Sequence, residues 1–172
     1  CGNALEVLEA VQFLRGDAVD PRLLEVTRRL SAELLLMGGL ASDEARALQQ
    51  VDDALHSGRA LAHFARMVTA LGGPADFCER PGHYLPPAPV LLPVLAQRGG
   101  FVAGMATRDI GLAVVELGGG RRQASDSIDA RVGLSQFAQI GQAVQAGEVL
   151  AIVHAANASA AERARHTLLE KI

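Results

Sequence analysis

Apolar residues recur at every third or fourth position in the first part of the chain, and glycines interrupt the pattern. That spacing gives a helix one face to bury. We predict four helices, over residues 3–16, 21–38, 42–58 and 59–72. Asn3 and Asp20 are predicted N-caps, because a short polar side chain at that position can accept the free backbone N–H groups of the first turn. Ser42, Asp43 and Glu44 are predicted to open the third helix, because acidic residues suit the positive end of the helix dipole.

The pattern changes where five prolines fall between residues 74 and 89. Proline lacks a backbone N–H and disrupts regular elements, so this segment is predicted to be a connection. The predicted domains are a helical segment of a large α/β domain over 1–73, the proline-rich connection over 74–89, and a C-terminal module over 90–172.

The C-terminal module mixes helical and strand-like patterns. We predict strands over 90–95 and 101–105, a helix capped by Thr107 and stopped by Gly118–Gly120, a β region over 131–154, and a final helix over 159–172. The unbroken apolar run Val149–Val153 is typical of a strand buried on both faces. The predicted fold class is therefore α+β.

The amino-acid composition argues against several classes of protein: nucleic-acid binders, membrane-spanning proteins and disulfide-rich secreted proteins. Of the 172 residues, 49% are hydrophobic and 20% are charged, which indicates a folded globular protein. The formal net charge is −3, so neither nucleic acid nor an anionic membrane is an expected partner. No apolar run approaches the ~20 residues of a membrane span. The two cysteines, Cys1 and Cys78, are too few for a disulfide framework, so a cytoplasmic protein is expected.

Two local clusters could bind phosphate or carry a cofactor. Gly118–Gly120 precedes Arg121 and Arg122, but a phosphate loop opens a helix whereas these glycines close one, so a helix stop is favoured. The segment Gly141–Leu150 resembles the hairpins of biotinyl- and lipoyl-type barrel domains, which predicts a barrel-sandwich-like β region. Such carriers attach their cofactor to a hairpin lysine, and the only lysine, Lys171, lies in the final helix. A carrier function is therefore excluded.

Neither the histidines nor Cys1 gives strong evidence for a metal site or a catalytic nucleophile. None of the five histidines has the spacing of a zinc site on a helix, and no cysteine pair has finger spacing, so no transition metal is expected. Cys1 could act as an N-terminal nucleophile, as in autoprocessed amidohydrolases. It stands at a predicted helix start, however, whereas such enzymes place the nucleophile at the start of a strand.

Four segments are similar to parts of a known family. Gly2–Leu14 resembles a helix that follows the family's central region, Phe101–Gly111 a C-terminal strand and helix, and Gly147–His154 the final strand. Gly118–Asp129 is the most specific segment. The family is that of the pyrimidine nucleoside phosphorylases, and Gly118–Asp129 indicates the thymidine phosphorylases within it. The resemblance covers the chain in register and implies the C-terminal part of a longer protein only.

The resemblance implies a reaction in which phosphate cleaves thymidine to thymine and 2-deoxyribose 1-phosphate. Phosphate and a pyrimidine deoxynucleoside are the implied partners of the full-length enzyme, which is expected to be a cytoplasmic homodimer. In this family the residues that bind them lie upstream of the matched part. No catalytic or cofactor-binding residue is therefore predicted here, and the fragment alone is expected to be inactive. The alternative is a non-catalytic binding or structural module derived from that fold.

One functional position carries over from the family. Glu9 matches a glutamate that helps bind a potassium ion, and the matching carbonyl ligands would lie before Cys1. For this fragment alone, a solvated helix carboxylate beside Glu6 and Gln12 is the favoured interpretation. The chain also starts without methionine and directly before a helix, which favours a piece of a longer protein.

Overall fold

The computed structural model describes residues 1–17 and 19–172, which form two compact units. The helical unit comprises Leu8–Tyr84, and the C-terminal unit joins Cys1–Val7 to Leu85–Ile172. The chain therefore passes from one unit to the other twice. The domain boundaries predicted above stay a prediction.

The helical unit contains the helices that the apolar spacing predicts. They are α1 (Asn3–Arg15, whose first residues belong to the C-terminal unit), α2 (Pro21–Met37), α3 (Glu44–His56), α4 (Arg59–Ala70) and a single turn, α5 (Pro81–Tyr84). The turn α5 corrects the expectation that the proline-rich segment lacks regular structure. Pro81 occupies the first helical position, where its missing N–H leaves no hydrogen bond unmade.

The N-cap predicted at Asp20 is confirmed, and Asp43 of the predicted Ser42–Glu44 start caps α3. Asp20 accepts the backbone N–H of Leu23 at 2.9 Å, and Asp43 accepts that of Arg46 at 2.8 Å. The prediction for Asn3 is wrong, because Asn3 is already the first residue of α1 and its side-chain amide donates to the carbonyl of Gly119 at 2.8 Å.

The C-terminal unit combines helices with two small antiparallel sheets, which confirms the α+β class. Its elements are β1 (Val90–Leu95), β2 (Gly100–Phe101), α6 (Thr107–Val114) with a π-helical turn (Val115–Gly119), β3 (Gly133–Ser135), β4 (Ala143–Val144), β5 (Val149–Ala155) and α7 (Ala158–Lys171). One sheet has the order β1-β5-β3, and the other pairs β2 with β4. Within the described residues these strands form no closed barrel.

Three details of this unit differ from the predictions. The strand over 101–105 shrinks to Gly100–Phe101, and the last backbone pairing beyond it is that of Val102 with Gly141 and Gln142. Thr107 is the first residue of α6 and makes no cap, since its hydroxyl donates to the carbonyl of Met105 at 3.4 Å. Strand β5 is fully buried only on one face: Ala151, Val153 and Ala155 are 0% exposed, whereas Ile152 and His154 on the other face are partly exposed.

The core of the C-terminal unit lies between the three-stranded sheet and helices α6 and α7. Val94, Leu134 and Val153 project from the three strands, and Leu168 projects from α7; all four are 0% exposed. None of the helices in residues 1–17 and 19–172 combines the length and apolar character needed to cross a membrane.

The first residues of the chain add to the edge of β3. The α-amino group of Cys1 donates to the carbonyl of Leu134 at 2.8 Å, and the N–H of Leu134 donates to the carbonyl of Cys1 at 2.7 Å. Gly2 forms a β-bridge with Gly133. The three-stranded sheet therefore gains a short fourth member at this edge.

Candidate functional site

Glu9 lies on α1 with its side chain exposed. The neighbouring Glu6 has a local role, since its carboxylate accepts the backbone N–H of Gly2 at 3.0 Å and stabilises the start of the helix. Within the described residues, Glu9 forms neither an ion pair nor a side-chain hydrogen bond. Its carboxylate is therefore available to a ligand.

A cation site needs more oxygen ligands than Glu9 supplies. Hard cations in proteins are held by several carboxylate and carbonyl oxygens together. Residues 1–17 and 19–172 contain no group of three or more His, Cys, Asp or Glu side chains that could hold a metal ion. The described residues therefore do not form a complete cation site, and the potassium-binding role of Glu9 stays a prediction.

The Gly118–Arg122 turn does not form an anion cradle. Gly118 has a φ of 98°, a left-handed conformation that ends the helix. The carboxylate of Asp126 accepts the backbone N–H groups of Arg122 at 3.0 Å and Gln123 at 3.2 Å. These two hydrogen bonds hold the pKa of Asp126 below its usual value. The N–H groups that could face a phosphate are thus bound to a carboxylate of the chain itself.

Ser135 and His154 form a side-chain pair across two adjacent strands. Ser135 lies on β3 and His154 on β5, and the Ser135 hydroxyl is 2.8 Å from the His154 Nε2 atom. Burial lowers the pKa of His154, and the nearby α-ammonium group of Cys1 lowers it further. A neutral imidazole is therefore favoured in the folded chain.

This environment predicts a pH-dependent stability. The unfolded chain protonates His154 near the ordinary pKa of 6.5, whereas the folded chain resists protonation. As the pH falls through that value the unfolded state binds more protons, so the free energy of unfolding falls until the lower pKa of the folded state is reached. Thermal melts at about pH 7.5 and about pH 5.5 should therefore differ more for the native chain than for His154→Gln.

Exposed His83 provides the matched control for that comparison. The variant His83→Gln should keep the pH dependence of the native chain. An equal pH dependence in His154→Gln and in the native chain would contradict the assignment of the effect to His154.

A groove of about 930 Å³ lies among the helices of the helical unit. Its walls are largely apolar and include Leu34 and Val51, and basic or potentially basic side chains also line it: Arg59, His63 and Arg66. Among the described residues, His63 is hydrogen-bonded to Arg66 and not to the two hydroxyl side chains of the groove, Thr27 and Ser31. The groove is suited to contact with an apolar surface.

The C-terminal residues match a known family. A family model described as "Pyrimidine nucleoside phosphorylase C-terminal domain" matches residues 101–172. Residues 101–172 are therefore similar to the C-terminal domain of this family. The matched residues contain α6, α7, β3, β4 and β5, but only Phe101 of β2. The three-stranded sheet also uses β1, which precedes the match.

Curated relatives extend the similarity to nearly the whole chain. A thymidine phosphorylase of Mesorhizobium japonicum is 52% identical over 168 residues, which cover 98% of this chain. A thymidine phosphorylase of Burkholderia cenocepacia is 52% identical over 163 residues, or 95% of the chain. The chain spans only 38% and 37% of the lengths of these two relatives, and it corresponds to their C-terminal part.

The family resemblance is thus confirmed, whereas the Ser135–His154 pair was not predicted from the sequence. The two residues are separated by 19 positions and lie on strands whose register no local pattern specifies. Position 154 follows an apolar run, which indicates a strand but not its partner. Among the predicted site residues, the role of Glu9 stays a prediction.

Proposed function

We propose that the chain is the C-terminal part of a thymidine phosphorylase. The parent enzyme would cleave thymidine with phosphate and release thymine and 2-deoxyribose 1-phosphate, which makes it a pentosyltransferase of pyrimidine salvage. The observation that carries this proposal is the 52% identity over 168 residues to the thymidine phosphorylase of Mesorhizobium japonicum.

We further propose that the 172-residue chain alone does not catalyse the reaction. Glycosyl transfer to phosphate requires the two reactants to be held in a near-attack geometry, with charged groups placed where charge develops. The Gly118–Arg122 turn directs N–H groups to Asp126, and Lys171 pairs with Asp109 at 3.1 Å. These contacts support an active site outside this chain.

The proposal extends to the assembly of the parent enzyme. We propose a cytoplasmic homodimer in which Glu9 contributes one carboxylate to a potassium site. The exposed position of Glu9 and its lack of an ion pair within the described residues support that role. The remaining oxygen ligands would come from residues that precede Cys1.

The decisive measurement is thymine release from thymidine by the full-length parent and by the 172-residue chain. Both proteins are purified from a host that lacks its own pyrimidine nucleoside phosphorylases. We expect phosphate-dependent turnover by the full-length protein and only the background rate for the 172-residue chain, because residues 1–17 and 19–172 form no phosphate cradle.

Two results would overturn parts of the proposal. Robust turnover by the 172-residue chain would place the active site within it, and an inactive full-length protein would favour the non-catalytic module. In the same assay, Glu9→Gln should remove any stimulation by potassium ions, whereas Glu25→Gln on α2 should retain it.

A further inference from the structure

The loop over residues 120–129 has no fully buried side chain. Residues 121–125, 127 and 128 are exposed, and the other three residues are partly buried. The largest apolar side chain of the loop, that of Ile128, is 42% exposed. A segment with few buried apolar contacts opens at a low cost in free energy unless other contacts hold it. The conformation of this loop therefore depends on its hydrogen bonds.

One set of hydrogen bonds folds the loop on itself. The Asp126 carboxylate accepts the backbone N–H groups of Arg122 and Gln123, and the Asp126 N–H donates to the carbonyl of Gln123 at 3.1 Å. The Nε atom of Arg121 donates to the backbone carbonyl of Asp126 at 3.2 Å. All these contacts lie within residues 121–126. They set the shape of the loop, but they do not attach it to the rest of the C-terminal unit.

The first turn of α1 binds both ends of the loop. At one end, the side-chain amide of Asn3 donates to the carbonyl of Gly119 at 2.8 Å. At the other end, the backbone N–H of Ala4 donates to the carbonyl of Ala130 at 2.9 Å. Two consecutive residues of the helix therefore hold the two residues that flank the loop. We refer to Asn3 and Ala4 as the clasp.

The clasp is itself fixed to the C-terminal unit. Ala4 is 5% exposed, and the preceding residues Cys1 and Gly2 pair with the edge of β3. The two ends of the loop are also joined directly, because the N–H of Asp129 donates to the carbonyl of Gly118 at 2.9 Å. Since the clasp is anchored independently of the loop, loss of the Asn3 contact would release one end of the loop and leave the sheet in place.

We propose that Asn3 is a positioning residue that keeps the 120–129 loop closed, and that the loop opens as a local unit when the Asn3 contact to Gly119 is lost. Opening exposes the backbone around Arg121 and Arg122, while the three-stranded sheet stays folded. Local opening of this kind is expected where a segment is held by a few exposed hydrogen bonds. The inference concerns the C-terminal unit alone and does not depend on the proposed function.

Limited proteolysis of the 172-residue chain by trypsin tests the inference. Cleavage after Arg121 and Arg122 requires an open loop, whereas cleavage after Arg163 requires α7 to unfold and reports opening of the whole unit. The test variants are Asn3→Ala and Asn3→Asp, which both remove the side-chain donor. Alanine favours a helix, and an acidic side chain is favoured in its first turn. Faster cleavage in both variants would therefore not be due to a weaker α1.

We expect cleavage after Arg121 and Arg122 to be about two- to tenfold faster in both Asn3 variants than in the native chain, which is the effect of losing one hydrogen bond. Cleavage after Arg163 should keep its native rate. The matched control is Ser127→Ala, because Ser127 is exposed in the loop and its hydroxyl forms no hydrogen bond within the described residues. This control should be cleaved at the native rate at all three sites.

Hydrogen exchange of the Asp129 N–H gives a second readout that does not depend on a protease. This N–H joins the two ends of the loop, so it should exchange faster in both Asn3 variants. Native rates of cleavage and exchange in both variants would overturn the proposal. An equal acceleration of cleavage after Arg163 would also overturn it, because Asn3 would then support the whole unit and not the loop.

Discussion

Replacing Gly133 with alanine lowers the free energy of unfolding of the C-terminal unit by about 3 kcal/mol. A Cβ atom at this position would overlap the carbonyl oxygen of Cys1, and it would also lie 3.1 Å from the Cα atom of Gly2. Both contacts involve backbone atoms, which cannot rotate away as a side chain can. The substitution therefore pushes the first residues of the chain off the edge of β3.

The measurement is a urea titration in which hydrogen exchange of the β5 amides reports the C-terminal unit, because two units need not unfold together. Gly111→Ala is the matched control. Gly111 lies inside α6, and a Cβ atom there would meet nothing within 4 Å. It should stabilise the unit by about 0.5–1 kcal/mol, since alanine favours a helix interior. The same sign of change for both variants would contradict the steric explanation.

Leu168→Ala destabilises the C-terminal unit by about 2–5 kcal/mol. Leu168 is 0% exposed on α7, where it packs in the core beneath the three-stranded sheet. Its removal costs the transfer free energy of the lost methyl and methylene groups and leaves a cavity that the surrounding strands cannot fully close. The urea titration followed at the β5 amides measures this change.

Leu91→Ala provides the comparison for Leu168→Ala. Leu91 is 55% exposed on β1, so its truncation leaves no closed cavity and should cost less than about 1 kcal/mol. If the two leucine variants were equally destabilising, α7 would not hold the sheet through this residue.

The sequence predicted the local features of the fold well, because their causes lie within a few residues. Asp20, directly before Pro21, marks the start of α2. Asp43 marks the start of α3 and accepts the backbone N–H of Arg46, three residues later. The glycine stop at Gly118 also follows from backbone conformation alone. Such signals depend on contacts between near neighbours.

The remaining features depend on pairings between distant residues. Strand β1 lies beside β5, and Gly133 lies against Gly2; both pairings join residues that are far apart in sequence. Asn3 was misinterpreted for the same reason, since its amide donates to Gly119 rather than to its own helix. Even less of the candidate site could be predicted from the sequence, because only Glu9 among the implied site residues lies within this chain.

Because Cys1 pairs with Leu134, the first residues of the chain must wait for their β partner during synthesis. The two residues are 133 positions apart, and a ribosome that adds about 5–20 residues per second needs about 7–27 s to reach the second after the first. During that time residues 1–7 have emerged without their sheet. A truncated protein that starts at Leu85 would lack them altogether and would leave the outer edge of β3 open to pairing with other chains.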